Sequence, residues 1–207
     1  MKSILFSGPM VRATLDGRKT QTRRIVKPQP RQNDGGEAWW WSHPKYNNGL
    51  GCNYFHTQIV SPSIRKLMAE QCAPYRVGDT LWVRETFATM GDEEMHTTHY
   101  RADMPHLKGA QYGWKPSIHM PRWAARLFLT VTAVRVERLQ EISDSDAYAE
   151  GVDEWAAWED PRHSDGTPAK YKSSRAAFEA LWDSLNAKRA PWSSNPWVWV
   201  IEFEKQP

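Results

Sequence analysis

Leu15-Asp16-Gly17-Arg18-Lys19-Thr20-Gln21-Thr22-Arg23-Arg24 gathers four cations and two threonine hydroxyls immediately behind a glycine. Cations and hydroxyl donors at a backbone turn can replace the water that a phosphate or carbonyl gives up on binding. The same composition also suits a solvated basic hairpin. Chemistry beyond binding is conceivable here. A threonine hydroxyl becomes a nucleophile when a neighbouring base takes its proton. Lys19 can be that base only if its pKa falls well below about 10.4. Like-charge repulsion from Arg18, Arg23 and Arg24 pushes it down, and burial adds to the effect. Side chains alternate along a strand, so Lys19 and Thr22 converge only if the backbone turns near Gly17–Thr20.

Three further places carry candidate chemistry. Glu85 shares one face of an expected strand Thr80–Phe87 with Leu81, Val83 and Phe87, and a carboxylate in that apolar row needs a partner. Lys115, Ser117, His119 and Arg122 lie close together in an irregular, proline-bounded segment, Trp114–Trp123. Glu150 sits at the end of a short helix, where the helix dipole favours a protonated carboxyl.

The elements that must position these groups are legible as local patterns. Gly8-Pro9 starts a helix, with Met10, Val11, Thr14 and Leu15 on its apolar side and Gly17 as its left-handed terminator. A strand follows at Gln21–Val26. Leu127–Arg138 is a long Val/Thr strand. Ser143, with Asp146 three residues on, caps a helix that ends at Glu150-Gly151. Phe178, Leu181, Trp182 and Leu185 recur at helical spacing behind Ser173-Ser174 and form a core face. Trp197–Phe203 alternates as the last strand. Residues 28–75 and 152–171 read as insertions rich in turn residues, the first with a helix near Ser63–Gln71 and the run Trp39-Trp40-Trp41.

The chain has 207 residues, 40% of them hydrophobic and 25% charged, which suits one soluble globular domain. A mean hydropathy of −0.71 and a short N-terminal apolar run point away from a membrane span or a secretory signal. The only cysteines, Cys52 and Cys72, fit a reduced, cytoplasmic compartment. Together with His43 and His56 they lack zinc-ligand spacing, so no metal or other cofactor is expected. Charge is unevenly spread. Between Val11 and Arg31 seven cations face one anion, and between Glu141 and Asp165 nine anions face Arg162 alone. The basic arm therefore faces either a polyanion or this acidic segment. The 12 tryptophans suit base stacking as well as core packing, and most are expected to pack.

Several short motifs occur in a fixed order: Gly17-Arg18-Lys19-Thr20 with Thr22 and Arg24, Val77-Gly78-Asp79, the long Val/Thr strand, Ala149-Glu150, and Val200-Ile201-Glu202-Phe203. In this the chain resembles the ASCH family of the PUA-like superfamily. Trp-Val-Arg-Glu-Thr at Trp82–Thr86 and Ile-His-Met-Pro at Ile118–Pro121 resemble its longer, prophage-encoded members. The resemblance implies an α+β fold, a small β-barrel with flanking short helices. It also implies a cleft for RNA, a nucleotide or a modified nucleoside. One branch resembles N4-acetylcytidine amidohydrolases, which implies Lys19 as base, Thr22 as nucleophile and Glu150 as acid. Arg18, Arg23, Arg24, Glu85, Lys115, Ser117, His119 and Arg122 are then candidates for substrate or nucleic-acid contact. Other branches imply a non-catalytic RNA or modified-DNA binding module, or a metal-independent ribonuclease using Lys19 with His119. Fold alone does not choose among them.

Overall fold

The computed structural model describes residues 1–32, 39–42, 54–56, 62–91, 96–107, 112–152 and 171–207. Its centre is a five-stranded sheet in the order β1 (Lys2–Leu5), β6 (Thr80–Arg84), β9 (Phe128–Arg138), β10 (Trp197–Lys205), β2 (Gln21–Ile25). Only the β1–β6 pair is parallel. Intervening strands form two small sheets: β3 (Arg31–Gln32), β4 (Trp39–Ser42) and β5 (Tyr54–His56), and the hairpin β7 (Phe87–Gly91) with β8 (His96–Tyr100). Among the described residues the α-helices are α1 (Gly8–Leu15), α2 (Pro62–Cys72), α3 (Asp144–Ala149) and α4 (Ser174–Asn186). The architecture is mixed α+β.

β10 is covered on both faces, which explains its nearly unbroken apolar run. Trp197, Trp199, Ile201 and Phe203 join the main core with Ile4, Phe6, Val11, Leu81 and Val83. Val198 and Val200 point the other way, onto Phe178 and Trp182 of α4 and Ala147 of α3. The segment read as an insertion contributes to this core, because α2 places Met68, Ala69 and Cys72 in the main cluster.

Local capping follows the sequence. Ser143 Oγ accepts from the Asp146 N–H at 3.0 Å, and Ser173 Oγ accepts from the Ala176 N–H at 3.2 Å. Gly17 terminates α1 at φ 79°. Two expectations need correction. The strand at Thr80 stops at Arg84 and a new strand starts at Phe87, so Glu85 lies in the junction and not in a continuous apolar row. Leu185, read as core, is 58% exposed: it lies in the last turn of α4 and is not part of the cluster that buries Phe178 and Trp182. The tryptophan side chains at 39–41, residues 43 and 52, and the acidic stretch 153–170 lie outside the described residues. Among the described residues, no helix is long and apolar enough to cross a membrane.

Candidate functional site

Lys19 is 1% exposed and Glu150 3%. They come from distant parts of the chain and meet where α1 hands over to β2 and where α3 ends. Glu150 is the C-cap of α3. The terminal carbonyls of a helix lack intrahelical partners, and here the chain after α1 supplies them. The Thr20 N–H donates to the Ala149 carbonyl at 2.9 Å, and Lys19 Nζ donates to the Glu150 carbonyl at 2.7 Å. Lys19 Nζ also donates to the Gln21 carbonyl at 2.7 Å and to Glu150 Oε2 at 3.1 Å. An ammonium has three protons, so all of them are engaged. The Phe6 ring lies 5.3 Å beneath the charge.

Gly151 makes this approach possible. It adopts φ 76°, and a Cβ there would sit 2.9 Å from Lys19 Cβ and 2.8 Å from Ala13 Cβ. A side chain at this position would push α3 off the lysine.

Arg23 completes the cluster from the next β2 position on the α4 side of the sheet. Its guanidinium reaches Glu150 Oε1 at 3.1 Å, Glu137 at 3.3 Å and Asp146 at 3.5 Å, with no side-chain exposure. Gln21 shares that face and donates to Asp146 Oδ1 at 3.0 Å. Arg135 of β9 fans out to Glu137, Glu202, Asp146 and the Gln21 side chain. The basic arm thus faces the acidic segment through Lys19 and Arg23. Charged and polar residues at alternate positions of neighbouring strands (Gln21/Arg23, Arg135/Glu137, Glu202) were the available sign of this network, and the sequence reading missed it.

Burial drives the electrostatics. Desolvation pulls the Lys19 amine below its ordinary value, against Glu150, which favours the charged form. Desolvation likewise lowers the Arg24 guanidinium against Tyr75 and Glu150. Burial pushes Asp146 up, yet its bonds from Gln21 and Ser143 and the charges of Arg23 and Arg135 leave it below the ordinary range.

Thr22 is buried on the opposite face of β2 from Arg23, and no hydrogen bond to its hydroxyl is found among the described residues. Arg24, on the Thr22 face, donates to the Leu5 carbonyl at 2.9 Å and so links the two edge strands of the sheet. Arg18 pairs with Asp16 at 3.0 Å and lines a mostly apolar cleft of about 370 Å³ between α1 and α4, with Met10, Arg12, Gly151 and Leu181. A second hollow of about 270 Å³ is bounded by Thr20, Gln21, Asp146 and Glu202. The Lys19–Glu150 pair lies between the two and lines neither.

The remaining candidates lie on other segments. Glu85 is held by a two-pronged pair with Arg126 (2.9 and 3.2 Å), which also clamps Asp103 at 2.6 Å. Desolvation raises the Glu85 pKa, and Arg126 opposes it. Lys115, His119 and Arg122 are exposed and Ser117 is half-buried. Among the described residues, no hydrogen bond or ion pair joins Glu85 or these four to Lys19 or Glu150. Glu85 with Arg126 thus forms an ion pair of its own, distinct from the bonds of the Lys19–Glu150 pair. Among the described residues, no group of three or more His, Cys, Asp and Glu side chains is arranged to hold a metal ion.

Comparison with protein-family models, with curated proteins and with solved structures finds no match.

Proposed function

We propose that this protein binds a nucleobase-containing ligand and hydrolyses the amide of an N4-acylated cytidine, on a barrel-like fold of the ASCH type. The observation that carries the reading is the 3.1 Å contact between Lys19 Nζ and Glu150 Oε2, the two residues that the family resemblance makes base and acid. The Arg24 bridge from β2 to Leu5 of β1 supports a sheet curled toward closure.

The buried pair offers a route to both catalytic states. Transfer of one proton from the Lys19 ammonium to the Glu150 carboxylate yields a neutral amine and a carboxylic acid together. Desolvation of the Lys19 ammonium eases the loss of its proton, and the Arg23 guanidinium 3.1 Å from Glu150 Oε1 opposes the transfer. Thr22 Oγ then gives its proton to the Lys19 amine and bonds to the acyl carbon. The carbon–nitrogen bond breaks, and Glu150 protonates the leaving N4 amine. Water hydrolyses the resulting threonine ester, releasing the carboxylic acid and restoring the hydroxyl.

A second reading, a non-catalytic RNA or modified-DNA binding module, is favoured by one observation. All three Lys19 protons are engaged and the residue is sealed at 1% exposure, so ligand contact requires local opening. The two separate by experiment. N4-acetylcytidine is incubated with wild type, Thr22→Ser and Thr22→Ala, and product is followed by mass spectrometry. The hydrolase reading expects cytidine from wild type, reduced turnover from Thr22→Ser and almost none from Thr22→Ala. Equal rates for Thr22→Ala and wild type remove Thr22 from the chemistry. No cytidine from any of them leaves the binding module.

A further inference from the structure

A second surface is built on a segment that, among the described residues, makes no hydrogen bond or ion pair to Lys19. Residues 114–126 carry Lys115, His119, Arg122 and Arg126 and no carboxylate. The segment is pinned from beneath. The Lys115 backbone pairs with Phe87 at 2.7 and 3.2 Å, Met120 is buried against Phe87 and Ala124, and the Arg84 guanidinium donates to the Ile118 carbonyl. Arg84 also lies 5.4 Å over the Trp82 ring. Arg126 clamps two carboxylates, Glu85 and Asp103.

On this fixed base two short 3-10 turns, Ser117–His119 and Arg122–Ala124, lift large apolar side chains into solvent. Trp123 is 62% exposed and Ile118 59%. An exposed indole on a segment that carries Lys115, Arg122 and Arg126 and no carboxylate of its own matches the chemistry of a base-stacking platform beside a phosphate backbone. The ordering cost of the loop is already met before a ligand arrives.

We propose that this platform grips a single strand of nucleic acid. The Trp123 indole stacks on a base, and Lys115 and Arg122 neutralise phosphates. The inference deepens the proposed function and rests on its reading that the ligand carries nucleobases: it extends the ligand from a nucleoside to a nucleotide within a strand.

The test uses the full chain and a fluorescein-labelled oligouridine of about 12 nucleotides, with an oligothymidine of the same length as the DNA arm, read by fluorescence anisotropy at about 50 and 200 mM salt. Binding is expected at low salt and to weaken at higher salt. Stacking on one base corresponds to a loss of at least about five-fold in affinity for Trp123→Ala, while Trp123→Phe keeps most of it. Replacing both Lys115 and Arg122 by Gln lowers the slope of log affinity against log salt by about 1.4. RNA and DNA arms of equal affinity identify the backbone and base faces as the ligand, and preference for RNA adds a ribose contact. Unchanged affinity in Trp123→Ala overturns the proposal. So does an absence of oligonucleotide binding joined to a concentration-dependent dimer that Trp123→Ala abolishes, which assigns the patch to a second copy of the chain. Hydrolysis of free acetylcytidine is read separately. Its absence with Trp123-dependent strand binding defeats the hydrolase reading alone, and its presence with Trp123-independent binding defeats this platform alone.

Discussion

Replacing Lys19 by Met removes the charge while keeping a side chain of similar length. Three acceptors lose their donor: the Gln21 and Glu150 carbonyls, each 2.7 Å from Nζ, and Glu150 Oε2 at 3.1 Å. A buried group left without its hydrogen bond costs about 1–3 kcal/mol. Stripping one partner from a buried ion pair costs about 3–5 kcal/mol when the other charge is left alone. Glu150 is not left alone, because Arg23 stays 3.1 Å from Oε1. Relief of the desolvation that lowers the Lys19 pKa offsets part of the loss. The expected net destabilisation is about 2–4 kcal/mol, well above the roughly 0.5 kcal/mol of an ordinary surface substitution. In a chain of this size that lowers Tm by roughly 5–15 °C. Urea unfolding followed by tryptophan fluorescence measures it, with a lower midpoint and an unchanged slope. A midpoint equal to wild type would show that Lys19 does not hold the end of α3 and would refute the account of the buried pair.

Gly17 and Gly151 both hold positive φ, at 79° and 76°, but only Gly151 is crowded. Gly17→Ala should cost about 1–2 kcal/mol of backbone strain, and Gly151→Ala should add about 1–3 kcal/mol of overpacking; equal losses in thermal unfolding would contradict the close approach of α3 to Lys19. Asp146 is held below its ordinary pKa of 3.8. Its contribution to stability is therefore complete above about pH 4 and is lost as pH falls through the lower folded value. Asp146→Asn should flatten the acid limb of a stability–pH curve, and an unaltered limb would mean that the carboxylate is not paired as described.

The sequence by itself determined the local elements of this fold. The Gly8-Pro9 start and Gly17 stop of α1, the Ser143 and Ser173 caps and the Phe178/Trp182 stripe all depend on neighbours within a turn or two. Short-range dihedral and hydrogen-bond preferences fix them wherever the segment sits. It also marked Lys19 and Glu150 as partners, but only through a resemblance in motif order to the ASCH family. What only the tertiary structure decided is where each charge ends up. Lys19 and Glu150 are 131 positions apart and Arg23 and Glu150 are 127 apart. Their meeting is set by the antiparallel register that puts Gln21 opposite Glu202, with α3 docked over the same strands. That register turns Arg23, read as a phosphate contact, inward onto three carboxylates. It leaves Lys115 and Arg122 in solvent and gives Glu85 to Arg126. A charge run in sequence carries no information on which of its members will be desolvated. Burial and pairing depend on long-range packing, and here packing separated one basic arm and one loop into a sealed ion-pair cluster and an open aromatic platform.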